Sequence, residues 1–150
     1  MSNFTVLHVE DDPNDAFFVQ RAFGKAGLEV DLQTVPDGRQ ALDYLNGVGK
    51  FANRGAYPVP QVILLDLKLP VLNGFEVLSV AKKDPRFKTT PIAVLSSSDH
   101  FDDRERARLL GAENYFTKTL SFTDVVEYVR KLLPPPTASQ PAPSAAGQKP

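Results

Sequence analysis

Along residues 5 to 133, short runs of consecutive hydrophobic residues alternate with segments in which hydrophobic residues recur every three or four positions. This alternation predicts five strands that are each followed by a helix. Short apolar runs predict the strands, and apolar residues three and four positions apart predict helices with one buried face. The predicted strands are 5 to 9, 30 to 35, 62 to 66, 91 to 96 and 114 to 117. Such an alternation is typical of an α/β fold with right-handed crossovers. We therefore expect a doubly wound five-stranded parallel sheet with helices on both faces.

Cap and turn residues predict where several helices begin. Asp12 followed by Pro13 predicts an N-cap and the first helical position, and Asp37-Gly38 predicts a second start. Ser121, with Asp124 three residues later, predicts a capping box for the last helix. Residues 47 to 60 show neither period and are predicted to form a long loop.

The composition changes after residue 133. Residues 134 to 150 hold six of the 13 prolines, together with Ala, Ser, Gln and Gly, and no aliphatic or aromatic residue larger than alanine. Such a segment buries too little apolar surface to offset its ordering entropy. We expect one folded domain over residues 1 to 133 and a disordered tail over 134 to 150.

Charge and cysteine content exclude several classes of function. The net charge of −1 provides no basic field for nucleic acid or an anionic membrane, so we expect neither as a direct partner. The absence of cysteine excludes disulfides, Cys-ligated zinc and thiol catalysis. No long apolar segment or targeting signal is seen, and we expect a soluble cytoplasmic protein.

Polar residues follow four of the five predicted strands, namely Glu10 and Asp11, Asp66, Ser96 and Lys118. Each has an ordinary structural explanation, since acids favour helix starts and most lysines are solvated. Parallel strands, however, bring their carboxyl ends to one edge of a sheet. Three carboxylates crowded there repel one another unless a cation neutralises them. The pattern predicts a hard divalent cation, and Mg²⁺ suits carboxylates, waters and a phosphoryl oxygen.

Together these residues resemble the receiver domain of two-component response regulators, over roughly residues 4 to 133. The motifs that carry the resemblance are Val9-Glu10-Asp11, Leu65-Asp66 with Leu69-Pro70 and Asn73-Gly74, Val94-Leu95-Ser96, and Gly111-Ala112 before Tyr115 and Lys118. The resemblance implies a flavodoxin-like receiver fold. The long loop before Pro60, Thr119 after the lysine and the lack of a DNA-binding domain resemble single-domain regulators paired with phytochrome-type histidine kinases.

The resemblance implies that Asp66 accepts a phosphoryl group from a sensor histidine kinase in a Mg²⁺-dependent reaction. Asp11 would ligate the metal directly, Glu10 would help to hold it, and the backbone carbonyl of Lys68 would add another ligand. The chain would thus catalyse its own phosphorylation and dephosphorylation while acting primarily as a signalling module. Its downstream target is not implied.

Three further residues have implied roles in the response to phosphorylation. Ser96 would contact the phosphoryl group, Lys118 would pair with a phosphoryl oxygen, and Tyr115 would be an aromatic switch. Their rearrangement would change a protein-binding surface built from residues 99 to 130.

The family usually has proline after the lysine, whereas this chain has Thr119. Because a cis peptide bond before a residue other than proline costs about 3–4 kcal/mol, we predict a trans Lys118-Thr119 bond.

Other interpretations fit the sequence less well. A haloacid-type phosphatase needs a second Asp where this chain has Lys68, and a nucleotide P-loop around Gly49-Lys50 would need residues other than Tyr44 and Phe51. A flavodoxin-like cofactor binder would need a hydroxyl-rich loop after the first strand. The remaining alternative is a degenerate receiver that binds partners without phosphorylation.

A homodimer through the last helix and its neighbours is a further expectation. It depends on Phe101, Phe122 and Tyr128 being exposed on that side of the domain.

Overall fold

The computed structural model describes residues 4–118 and 122–134. Its centre is a parallel sheet with the strand order β2-β1-β3-β4-β5. The strands are β1 (Thr5–Val9), β2 (Asp31–Val35), β3 (Val62–Leu65), β4 (Ile92–Ser96) and β5 (Asn114–Thr117). The predicted doubly wound parallel sheet is confirmed, and the half-polar β2 lies at its edge.

Five helices cover the sheet: α1 (Pro13–Lys25), α2 (Gly38–Asn46), α3 (Gly74–Lys83), α4 (Phe101–Leu109) and α5 (Thr123–Leu132). Three of them begin at a side chain that accepts a hydrogen bond from the first turn, namely Asp12, Asp37 and Asn73. These caps satisfy backbone amides that have no partner inside the helix. The predicted starts at Asp12 and Asp37 are therefore confirmed.

Alternate residues of the strands point to opposite faces of the sheet, and each face has its own core. On one face Leu7, Ile63 and Ile92 pack with α2, α3 and α4. On the other, Val6, Leu64 and Leu95 pack with α1 and α5. Burial on both faces explains why the central strands are continuous apolar runs.

The loop between α2 and β3 is more ordered than predicted. Residues Gly49–Phe51 form a short 3-10 helix. Tyr44 is fully buried, its ring centroid lies 5.2 Å from that of Phe51 and 6.0 Å from that of Tyr57, and its hydroxyl donates to the Pro58 carbonyl at 2.8 Å. Arg54 donates to the Leu45 carbonyl at 2.8 Å and the Tyr57 carbonyl at 3.0 Å. The loop is thus anchored to α2 by its own side chains.

One expectation about the last helix is wrong. Phe122 is the N-cap of α5 with a φ of 53°, and its side chain makes no capping hydrogen bond. Phe122 is also buried rather than exposed, because it packs into the core between the sheet and α5. Tyr128 is half-buried against Phe116, whereas Phe101 is 73% exposed as expected.

Several predictions fall outside the described residues, namely the tail beyond residue 134, the Lys118-Thr119 peptide bond and the capping box formed by Ser121 with Asp124. Among the described residues, no helix has both the length and the apolar character needed to cross a membrane.

Candidate functional site

Three carboxylates meet at the carboxyl ends of β1 and β3. One oxygen from each of Glu10, Asp11 and Asp66 lies within 4.8 Å of the other two. Glu10 and Asp66 are buried, at 2% and 5% exposure, whereas Asp11 is exposed. Crowded carboxylate oxygens of this kind form a donor set that fits a hard divalent cation.

Lys118 lies at the centre of this cluster, directly after β5. Its Nζ atom is 2.9 Å from Glu10 Oε1, 3.0 Å from Asp66 Oδ2 and 2.8 Å from Asp15 Oδ2. The lysine therefore contacts two of the three clustered carboxylates and a third acid on α1. Sequence reasoning missed Asp15, although its place in the first turn after the Glu10-Asp11 pair put it at the same edge of the sheet.

Burial and charge oppose each other in this cluster. Burial raises the pKa of Glu10 to about 7, even though the Lys118 ammonium favours the ionised carboxylate. Burial also disfavours the charged lysine, but its interactions with the acceptor carboxylates of Asp15, Glu10 and Asp66 outweigh this effect, and the pKa of Lys118 is above its ordinary value. Lys118 is thus charged at physiological pH, whereas ionising Glu10 costs free energy because its carboxylate is buried.

His8 lies beneath the cluster, inside β1. Its side chain is fully buried, and neither ring nitrogen has a hydrogen-bond partner in the described part of the chain. Burial, with the nearby Lys118 charge, lowers the pKa of His8 to about 4. His8 is therefore neutral at physiological pH and leaves Lys118 as the cation that faces Glu10 and Asp66.

Asp66 is fixed by the turn that follows β3. Its Oδ1 atom accepts a hydrogen bond from the Lys68 amide at 3.2 Å, and its backbone amide donates to the Val9 carbonyl at 3.1 Å. A Cβ at Gly74 would lie 2.2 Å from the Asp66 carbonyl oxygen, so α3 can begin this close only with glycine. Val71, in the same turn, has a φ of 71°, which is strained for a β-branched residue.

Ser96 ends β4 beside the cluster and is fully buried. Its Oγ atom accepts a hydrogen bond from the Ser98 amide at 3.1 Å, and its carbonyl accepts one from the Lys118 amide at 2.8 Å. Together with Asp11 and Lys68, it lines a cavity of about 520 Å³ that extends to Asp103 and Arg106. Of the three clustered carboxylates, Asp11 lies in the wall of this cavity.

Tyr115 on β5 is hydrogen-bonded to the loop that follows β4. Its hydroxyl donates to the Ser98 carbonyl at 2.6 Å, and the Arg104 guanidinium lies 4.6 Å from the centre of its ring. Arg104 also donates to the Thr117 hydroxyl at 3.1 Å. Hydrogen bonds thus join the loop after β4 to the exposed surface of α4 and β5.

A family model for the response regulator receiver domain matches residues 6–130. The chain belongs to this family. The predicted recognition is therefore confirmed, and the molecule is a receiver domain of two-component signal transduction. The phosphatase, P-loop and flavodoxin-type interpretations are excluded.

Among its relatives, the receiver domain is 36% identical to the probable methanogenesis regulatory protein FilR2 of Methanothrix harundinacea, covering 86% of this chain and 81% of that one. It is 34% identical to the response regulator Rcp1 of Synechocystis, covering 83% of both. Rcp1 has been solved in a Mn²⁺-bound form, with a TM-score of 0.74, 32% identity and coverages of 86% and 91%. The phosphorylated cyanobacterial phytochrome response regulator RcpA gives a TM-score of 0.76 at 32% identity, covering 95% of this chain and 100% of that one.

Proposed function

We propose that this receiver domain accepts a phosphoryl group from a sensor histidine kinase onto Asp66 and signals through a changed protein-binding surface. The single observation that supports Asp66 is its position, buried among two further carboxylates and 3.0 Å from the Lys118 ammonium. A nucleophilic carboxylate beside fixed cationic groups is the arrangement that phosphoryl transfer requires.

The transfer forms one bond and breaks one bond. An Asp66 carboxylate oxygen bonds to phosphorus while the phosphorus–nitrogen bond of the phosphohistidine breaks. The electron pair returns to the imidazole, which leaves neutral when its other ring nitrogen carries a proton. The product is an acyl phosphate, and attack of water on it resets the domain.

Charge on the phosphoryl oxygens has to be stabilised during this step. Asp11, Glu10, Asp66 and the backbone carbonyl of Lys68 would hold Mg²⁺, and the bound ion would supply positive charge next to the phosphoryl oxygens. The carboxylate cluster and the Mn²⁺-bound form of the related Rcp1 support a divalent ion here. Lys118 would stabilise a further phosphoryl oxygen.

Ser96 and Tyr115 would carry the signal outward. Ser96 Oγ already bonds within the loop after β4, and Tyr115 bonds to the Ser98 carbonyl in that loop. A phosphoryl group that engages Ser96 would pull on this loop and so repack residues 99 to 130. Local charge would then bias a two-state surface.

The partner kinase belongs to the proposal as well. The similarity to Rcp1 and to the phytochrome response regulator RcpA supports a phytochrome-type histidine kinase. Direct binding to nucleic acid is not expected at a net charge of −1. A cytoplasmic location and a homodimer remain predictions. Of the three aromatic residues named for the dimer, Phe101 is the exposed one and supports it.

The test compares wild type with Asp66→Asn during incubation with a radiolabelled small phosphodonor, with and without Mg²⁺. Wild type should incorporate label only when Mg²⁺ is present, and Asp66→Asn should incorporate none in either condition. Asp124→Asn, in the first turn of α5, is the control for loss of one carboxylate, and it should be labelled as wild type is. Equal labelling of Asp66→Asn would exclude Asp66 as the acceptor, and an unlabelled wild type would favour the degenerate receiver.

A further inference from the structure

Among the acids of the described residues that contact Lys118, Asp15 is the one for which neither metal binding nor phosphoryl transfer requires a role. It lies in the first turn of α1, and its Oδ2 atom is 2.8 Å from Lys118 Nζ. The helix end does not need it as a cap, because Asp12 already accepts the hydrogen bond from the Asn14 amide. The contact therefore joins α1 to the residue that follows β5.

Three carboxylates crowd the Lys118 ammonium. Lys118 Nζ donates hydrogen bonds to Asp15 Oδ2 at 2.8 Å and to Asp66 Oδ2 at 3.0 Å, and it lies 2.9 Å from Glu10 Oε1. A phosphoryl oxygen on Asp66 that approaches Lys118 therefore competes with carboxylates that already contact the ammonium group.

Asp15 is the carboxylate that is least costly to release. The side chain of Glu10 is fully buried and that of Asp66 is 7% exposed, whereas 26% of the Asp15 side chain is exposed. A buried carboxylate that loses its partner bears a large desolvation penalty, and a partly exposed one is solvated by water instead. Asp15 is thus the carboxylate that competes with the phosphoryl group.

We propose that Asp15 restrains phosphorylation by holding the Lys118 ammonium and by placing a negative charge beside the incoming phosphoryl group. Asp15 is a positioning residue that acts through Lys118 and does not bond to the phosphoryl group itself. The proposal rests on the proposed roles of Asp66 and Lys118. It makes the first turn of α1 a site at which the reactivity of this receiver is set.

The first experiment measures the rate of Asp66 phosphorylation against the concentration of acetyl phosphate, at saturating Mg²⁺. An Asp66 oxygen bonds to phosphorus while the phosphorus–oxygen bond to the acetyl group breaks, and acetate leaves with the electron pair. Removing a negative charge beside the incoming phosphoryl group lowers the repulsion that opposes transfer, so Asp15→Asn should be phosphorylated about 3–10-fold faster at low donor concentration. Asp15→Ser should agree, and Asp15→Glu, which restores the carboxylate, should return the rate towards that of wild type.

Asp124→Asn is the matched control, because it removes the same charge from the first turn of another helix, and no ion pair joins Asp124 to Lys118 in the described part of the chain. Its rate should equal that of wild type. A rate for Asp15→Asn at or below wild type, or an equal acceleration in Asp124→Asn, would overturn the proposal.

The second experiment needs neither metal nor phosphodonor. Urea unfolding in a chelator is measured for wild type, Asp15→Asn, Lys118→Met and the double variant. If the two side chains pair, the shift in midpoint caused by Asp15→Asn should disappear or reverse once Lys118 is absent. Equal shifts in both backgrounds would overturn the pairing. Labelling of Asp66→Asn would refute the proposed function, whereas normal labelling of Asp66 at unchanged rates would refute the role of Asp15 alone.

Discussion

Two regions of this receiver domain bury polar groups in opposite ways. Around the loop between α2 and β3, Tyr44 and Arg54 each donate to backbone carbonyls, and aromatic rings fill the space between them. At the carboxyl edge of the sheet, Glu10 and Asp66 are buried close together and share one ammonium group, that of Lys118. The first region is satisfied within itself, whereas the second has more negative charge than its cation neutralises.

The difference shows where stability and reactivity lie in the same small fold. A polar group that is buried with its partner stabilises the native state, whereas like charges buried together disfavour it until a ligand arrives. Changes in the aromatic loop should therefore alter the free energy of unfolding and leave phosphorylation intact. Changes at the carboxyl edge should alter phosphorylation and the dependence of stability on pH and on bound cations.

The largest expected effect is at Tyr44. Tyr44→Ala removes a fully buried ring that contacts Phe51 and Tyr57, and it should lower the free energy of unfolding by about 3–5 kcal/mol, as for other large aromatic deletions. Urea unfolding followed by circular dichroism measures the loss. Tyr44→Phe keeps the packing and loses only the bond to Pro58, so it should cost about 1 kcal/mol. A smaller loss for Tyr44→Ala than for Tyr44→Phe would contradict the anchoring role of the ring.

The next effect concerns the cation of the carboxyl edge. Lys118→Met should slow phosphorylation of Asp66 by about 10²–10³-fold, the usual loss when one fixed charge-stabilising donor is removed from a transfer site. Initial rates of label incorporation at saturating Mg²⁺ measure it. Lys131→Met, on the exposed last turn of α5, removes the same charge elsewhere and should leave the rate unchanged. A comparable loss in both variants would show that net charge, rather than the position of Lys118, matters.

The third effect is a pH dependence of stability. The pKa of Glu10 in the folded state is raised from 4.5 to about 7, so the folded protein binds a proton more tightly than the unfolded one. The contribution of Glu10 to stability should therefore fall as the pH rises from about 4.5 to 7, by about 1–3 kcal/mol, because each pKa unit corresponds to about 1.4 kcal/mol.

Urea unfolding of wild type and Glu10→Gln in a chelator, at pH 5 and pH 8, isolates this contribution. Gln mimics the protonated acid, so the variant should gain stability relative to wild type as the pH rises. Excess Mg²⁺ should make the pH dependence of stability more similar in the two proteins, because a bound cation favours the ionised carboxylate of Glu10. Parallel pH profiles without metal would contradict a raised pKa for Glu10.

Much of this architecture follows from the sequence, because the strands of a parallel sheet are buried on both faces and their apolar runs are unmistakable. The bounds of β1 and β5 agree with the prediction to the residue, and the acids that follow β1 and β3 were expected to meet because parallel topology requires it. These inferences depend on periodicity and chain direction, which are properties of the sequence itself.

Features that depend on tertiary contacts were not predictable in this way. The burial of Tyr44 depends on two aromatic residues, Phe51 and Tyr57, from a loop that has no hydrophobic periodicity. Phe122 is buried because its ring packs into the core between the sheet and α5, and its place at the start of the helix did not indicate this. The contact of Asp15 with Lys118 spans 103 positions along the chain, and no local pattern signals it.

The smallest expected effect is at Val71, in the turn between Asp66 and α3. Val71 has a φ of 71° and is 75% exposed, so its side chain bears backbone strain without gaining burial. The left-handed conformation costs an L residue roughly 1–2 kcal/mol, and glycine, which adopts it freely, loses about 0.5–1 kcal/mol through the entropy of the unfolded chain. Val71→Gly should therefore raise the free energy of unfolding by about 0.5–1 kcal/mol. Val80→Gly, at an exposed position inside α3, should lower the free energy of unfolding by a similar amount, since glycine disfavours a helix interior. Equal destabilisation of both variants would show that the turn beside Asp66 is not strained. The carboxyl edge would then differ from the aromatic loop only in its unneutralised charge.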